Sequence, residues 1–277
     1  MSPRSLFLIP LFALAAPIAA DRLLIAGSEG FVMEADTADG VFEYFACQCS
    51  GPINALAADA EHLYAADEWG QLLVFDVEDG SMQAVFFPNV GQINALAAAG
   101  GALFAGTEEG LVVRINRTTG EVVSSRSAPA GVRALIAHNG FLIAGGADGA
   151  LYRARVGQGE FEYFTCFCFS TIQDVVLSGG DLIVADGNGL VARVNVHNGL
   201  IESAFFVGAM NSMAAFKNVL LLYYGSGPIP MFDANDGTQL PGEFNSPIDV
   251  RAILVLDDET VSPPSHTTRR VALPKQG

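Results

Sequence analysis

Two Cys-x-Cys pairs, Cys47 with Cys49 and Cys166 with Cys168, are the residues whose type and spacing speak most directly of chemistry. They lie in near-duplicate stretches, FEYFACQC from Phe42 and FEYFTCFC from Phe161, which hold all 4 cysteines of the chain. In an oxidising compartment the default is a local disulfide, although residues i and i+2 sit near the upper limit of Cα separation unless the chain bends. So small a ring constrains the unfolded chain little and is more reducible than an ordinary structural bridge, which leaves a redox role open. Inert packed thiols are a second state, and two thiolates clasping a soft ion such as Cu(I) or zinc are a third.

Two further sets of side chains could act on a ligand. Asn54, Asn94, Arg133, Gln173, Asn211 and Asp249 each follow the first apolar residue of a recurring stretch: INALAA twice, then VRALIA, IQDVVL, MNSMAA and IDVRAI. A ring of polar groups results if these stretches surround one axis, and Arg133 with Asp249 would give it both signs of charge. Structural duty, satisfying the backbone of neighbouring loops, is the competing explanation. The other set is acidic: Glu29, Asp67, Glu68, Glu108, Glu109, Asp148 and Asp186 all fall in short turns. Such residues suit exposed turns, or they form a rim that attracts cations. His62, His138 and His197 fall in separate turns of the opposite face, and no HExxH, G-x-S-x-G or P-loop pattern occurs.

The elements that position these residues are repeats. The stretch 63–80, LYAADEWGQLLVFDVEDG, reads as a β-hairpin followed by a turn, and the glycine closing the hairpin recurs as Gly30, Gly70, Gly110, Gly149, Gly189 and Gly227, 38 to 40 residues apart. Each copy carries four short strands, A to D. A four-stranded unit of about forty residues is the period of a propeller blade. The chain after residue 20 starts on a B strand and its final strand, near Ile248, is of A type, so the two ends complete one sheet and remove the open edges. The expected fold is therefore all-β, a six-bladed β-propeller over 21–256. Cys47 and Cys166 are 119 residues apart, three blades, and the two cysteine loops are expected to face each other across the axis.

Composition restricts the function classes. The 277 residues are 51% hydrophobic and 16% charged, the balance of a globular chain with a large core. A formal net charge of −16, with Lys217 and Lys275 as the only lysines, would repel nucleic acid and gives no basic patch for a membrane surface. Residues 1–20 read as a signal peptide: Arg4, an apolar run from Leu6 to Ala16 too short to span a bilayer, and a small-residue exit at Ala19-Ala20. The mature chain is expected to be secreted or periplasmic, soluble and monomeric, with 257–277 a disordered tail.

The motif G-x-L-x-x-x-D-x-x-x-G between strands, seen as GQLLVFDVEDG from Gly70 and, with asparagine, as GLVVRINRTTG from Gly110, resembles the PQQ-like repeat of quinoprotein-type β-propellers across nearly all of 21–256. The resemblance implies a blade used alike by dehydrogenases, scaffolds and sensors. It does not carry PQQ itself: Phe86, Val123 or Phe205 stands where the repeat has a tryptophan, and an adjacent cysteine pair is lacking. The expected function is that of a non-catalytic module binding a protein or small ligand through the channel mouth and the face that bears the acidic turns. The alternative is a redox or soft-metal protein working through the two Cys-x-Cys loops.

Overall fold

The computed structural model describes residues 21–37, 40–46, 50–166 and 170–256, with only the backbone of Gln158. Within them the chain forms twenty-four strands in six four-stranded antiparallel sheets, and no helix is long and apolar enough to cross a membrane. Blade 1 begins with β1 (Arg22–Gly27), β2 (Val32–Asp36) and β3 (Glu43–Ala46). Blade 2 holds β4 (Ile53–Ala58), β5 (His62–Asp67), β6 (Leu72–Asp76) and β7 (Met82–Phe86). Blade 3 holds β8 (Ile93–Ala99), β9 (Ala102–Thr107), β10 (Leu111–Ile115) and β11 (Val122–Ser127). Blade 4 holds β12 (Val132–His138), β13 (Phe141–Gly146), β14 (Ala150–Arg155) and β15 (Gln158–Cys166). Blade 5 holds β16 (Ile172–Ser178), β17 (Asp181–Asp186), β18 (Leu190–Val194) and β19 (Ile201–Phe206). Blade 6 holds β20 (Ser212–Phe216), β21 (Val219–Tyr223), β22 (Ile229–Asp233) and β23 (Gln239–Phe244), and β24 (Val250–Leu256) returns to pair with β1. The architecture is a six-bladed β-propeller closed by its last strand.

The second strand of each blade, beyond its first residue, is buried on both faces, and the third less completely, because each sheet is covered on either side by a neighbour. The hairpin between them turns on a left-handed glycine. At Gly70, φ is 79° and an added Cβ would stand 2.3 Å from the Gly91 carbonyl oxygen, so conformation and space both demand glycine. The core lies between blades. Leu24, Val32 and Ala46 of blade 1 meet Ile53, Leu63 and Leu73 of blade 2, while Leu23, Ile25 and Val255 meet Leu221, Tyr223 and Phe244 of blade 6. Each fully buried aliphatic side chain contributes about 2 kcal/mol, so blade 1 is held from both sides.

Closure comes with a register that the sequence reading missed. Ile248 was expected to open the last A strand; instead Val250, with 0% exposure, takes the position of Ile53, Ile93, Val132 and Ile172, and pairs with Gly27. The stretch is shifted by two residues. Ile248 is only partly buried and Asp249 is exposed.

Ring closure makes a direct prediction. A chain ended at Asp249 lacks β24, leaves Leu23 and Ile25 without cover, and should lose cooperative thermal unfolding. A chain ended at Ser262 keeps β24 whole and should unfold cooperatively; equal behaviour of the two in calorimetry would remove the closure argument.

Candidate functional site

The first strand of each sheet, β24, β4, β8, β12, β16 and β20, stands beside its counterparts in the adjoining blades. Together they surround a central channel of about 1100 Å³. Near the start of five of these strands the ladder slips by one residue, leaving Asn54, Asn94, Arg133, Gln173 and Arg251 unpaired between two paired neighbours. A bulged residue is released from the alternation of the strand and its side chain is re-aimed. All five line the channel, as does Asn211, whose N–H donates to the Tyr223 carbonyl at 2.7 Å just before β20.

This is the expected polar ring with one correction. Asp249 does not line the channel; its carboxylate accepts the Tyr223 hydroxyl at 3.2 Å. Arg251 takes its place because of the two-residue shift of β24. The ring thus carries three asparagines, one glutamine and two arginines, and no carboxylate. Arg133 and Arg251 stand on opposite blades, 4 and 1.

The carboxylates reach the ring from the turns. Arg133 Nη2 pairs with Glu108 Oε1 at 2.8 Å, and Glu108 Oε2 accepts Asn94 Nδ2 at 2.7 Å. Arg251 Nη1 donates to Asn54 Oδ1 at 3.0 Å and lies 3.4 Å from Glu68 Oε2. Each arginine therefore has one glutamate, and the mouth is near neutral. Among the described residues only Gln173, donating to the Asn211 carbonyl at 3.4 Å, serves backbone in the way the structural explanation of the ring required.

The acidic rim divides. Glu29 and Glu109 are exposed, and Asp148, also exposed, accepts the Tyr152 hydroxyl. Asp67 and Asp186 are buried, at 0% and 1% exposure, and do not belong to a rim. Each folds its Oδ1 back onto its own turn: Asp67 accepts Trp69 N at 3.0 Å and Gln71 N at 2.8 Å, Asp186 accepts Asn188 N at 3.0 Å and Leu190 N at 2.9 Å. They are turn caps, a duty Asp performs through its short acceptor side chain. Burial pushes the Asp67 carboxyl up from its ordinary value.

Cys47, Cys49 and Cys168 lie outside the described residues. Cys166 ends β15 and is disulfide-bonded, to a partner that also lies outside them. β3 and β15 are the outermost strands of opposite blades, so Cys166 sits three strand spacings, about 14 Å, outside the strand that lines the channel. The described strands that lead into the two Cys-x-Cys stretches, β3 and β15, are thus on opposite blades and outermost in their sheets. Among the described residues no group of three or more His, Cys, Asp or Glu could hold a metal ion.

The channel also holds a residue that the sequence reading passed over. Asp174, one position below the ring on β16, lines the wall where the other inner strands carry Ala55, Ala95, Ala134, Ser212 and Ala252. Its Oδ2 accepts Met213 N at 2.7 Å and Ser212 Oγ at 3.4 Å from β20, and its Oδ1 accepts Val175 N at 2.8 Å. Among the described residues no cation holds its charge. Burial dominates, and the carboxyl is pushed up to about 6 despite those hydrogen bonds. Aligning the six A strands would have found it, as the single acid at a position otherwise filled by Ala or Ser. At the far end the channel is lined by Asp21, His138, Ser178 and Lys217, with Lys217 Nζ 3.4 Å from Asp21 Oδ2. His138 is shifted down, first by burial and then by nearby His197, so two of the histidines assigned to separate turns come within electrostatic reach of each other.

No known sequence family matches the chain, and no curated protein does. The likeness to solved structures is one of fold. A chain from a nidogen–laminin complex superposes with TM-score 0.74 at 11% identity, covering 85% of this chain and 98% of that one. The WD40 propeller domain of Doa1 gives TM-score 0.64 at 13% identity, with 88% of each chain covered. The computationally designed protein Ika8 gives 0.59 at 16% identity, covering 86% of this chain and 78% of that one.

The raised carboxyl has a signed consequence. Since Asp174 titrates near 6 when folded and at the ordinary 3.8 when unfolded, the folded state binds the extra proton between those values, and stability rises as pH falls through 6. At neutral pH the ionised form costs up to roughly 3 kcal/mol. Asp174→Asn keeps one acceptor atom and should therefore stabilise the protein by about 1–2 kcal/mol near pH 7.5, with the gain gone by about pH 4. Denaturant titrations at the two pH values check this; a variant less stable than wild type at neutral pH contradicts it. Asp67→Ala should cost about 1–2 kcal/mol at either pH through loss of the turn cap.

Proposed function

We propose that this chain is an exported, non-catalytic binding module that takes a small ligand, or an inserted segment of a protein, at the mouth of its central channel. The channel carries the reading. Its volume of about 1100 Å³ lies at the upper end of small-molecule sites, and it combines an apolar wall of Ala, Leu, Val and Ile with a few convergent polar groups at one end. Asn54 Nδ2 is buried there and has no hydrogen-bond partner among the described residues, a donor left over for a ligand. Exposed Trp69, beside Glu68 on the same face, offers a stacking surface. A similar fold occurs in a complex between nidogen and laminin, which supports capture of a protein as one use of such a disc. The repeat motif supports grouping the chain with PQQ-like propellers as a small member without the cofactor.

For the cysteines we favour two local disulfides, Cys47 with Cys49 and Cys166 with Cys168. The oxidised state and peripheral strand of Cys166 support this over a shared four-cysteine redox or metal site at the axis.

A ligand-observed NMR screen of small molecules tests the binding reading. Hits should compete with one another and slow hydrogen exchange in the inner strands β4, β8, β12, β16, β20 and β24. Hits that protect only outer strands, or no hits, would remove it. Independently, intact-mass analysis should find the exported protein four hydrogens lighter than its reduced form, with peptide maps linking cysteines within each loop; a crosslink between the loops would restore the shared site.

A further inference from the structure

We infer that the ligand of the channel is an organic cation, an ammonium or guanidinium group on an apolar body, whose charge is received by Asp174. The inference rests on the reading of the channel as a binding site and adds the chemical class of the ligand. Its basis is a charge inventory of the wall. Every other charged side chain that lines the channel or its mouth and makes an ion pair does so within the protein: Arg133 with Glu108, Arg251 with Glu68, Lys217 with Asp21. Asp174 alone has hydrogen bonds but no cation.

The elements packed against Asp174 do not supply one. On β12 the titratable groups are Arg133, held by Glu108, and His138 at the far end of the strand. β20 presents Ser212, Met213, Ala214, Ala215 and Phe216, none of them charged. On β17, Asp181 pairs with Arg193 and Asp186 caps its own turn. Among the described residues the carboxylate thus stands as the one uncompensated charge in the wall. Below it Leu56, Leu96, Leu135, Ile136, Val176 and Leu254 line the passage. A cation with an apolar body would place its charge at Asp174 and its hydrocarbon against these side chains, a division that each part of the wall favours. The hydrogen bonds from β20 orient the carboxylate, so a ligand would meet a group already held in place.

Binding should then follow the ionisation of Asp174, present above pH 6 and lost below it, because the neutral acid offers a cation no charge. Three probes of one shape separate the outcomes: 3-phenylpropylammonium, 3-phenylpropanol and 3-phenylpropionate, titrated by calorimetry or ligand-observed NMR. The ammonium should bind about tenfold or more tightly than the alcohol at about pH 7.5. It should weaken about tenfold by about pH 5 while the alcohol is unchanged. In Asp174→Asn the preference should vanish at both pH values while the alcohol still binds. The pH series on the wild-type protein stands even if the variant does not fold. Equal binding of ammonium and alcohol at both pH values would mean that Asp174 only ties β16 to β20, which overturns the inference and leaves the channel as a site. Tighter binding of the propionate would overturn it in favour of the mouth arginines. Failure of all three probes to bind would overturn the inference, while the channel reading stands or falls with the broader screen.

Discussion

The antiparallel pairing of β24 with β1 is the contact on which the rest of the molecule depends. Every blade is a twisted sheet whose inner part is apolar on both faces, and a ring is the arrangement in which six such sheets each find two partners. Opening it at any point would bare two faces. The opening would come most readily at blade 1, since the other five are continuous in the chain, and β24 prevents it by supplying Val255 and Ile253 toward blade 6 and Leu256 toward blade 2. The same strand completes the channel wall and brings Arg251 to the mouth, so closure of the fold and completion of the site are one event.

A second constraint follows from the strands themselves. Residues that alternate between two packed faces have to be apolar, and a channel lined only by such strands would be a greasy tube. The one-residue slip in five of the six inner strands escapes this rule. It takes Asn54, Asn94, Arg133, Gln173 and Arg251 out of the ladder and lets each point where polarity is tolerated. Glu68 and Glu108 then reach over from neighbouring hairpin turns and neutralise the arginines. The mouth is polar without being strongly charged, although the chain as a whole carries −16.

Asp174 runs against this economy. Stability alone would favour alanine or serine there, as in the five other blades, because an ionised, partly buried carboxylate that lacks a cation is destabilising. Hydrogen bonds from Met213, Ser212 and Val175 reduce that cost without removing it. A residue that weakens the fold while standing in the wall of the central channel is the kind that a ligand explains more readily than packing does.

The sequence by itself determined the blade count, the strand order and the closure, because left-handed glycines at Gly30, Gly70 and their successors are local requirements repeated at a fixed interval. It also placed the two cysteine loops on opposite blades, which is a matter of counting. The register of β24 was beyond it: in IDVRAI both Ile248 and Val250 are apolar and each precedes a charged residue, so a period-two pattern cannot distinguish a shift of two. Only the pairing of Val250 with Gly27 decided that Arg251, and not Asp249, belongs to the ring. Burial of turn acids was equally hidden, since Asp67 and Glu68 are adjacent and both acidic, yet one caps its own turn at 0% exposure while the other reaches Arg251. The acid at position 174 was visible in the alignment of strands. What it means depends on a cavity assembled from six blades, and no single stretch of chain encodes which charges lie across that space.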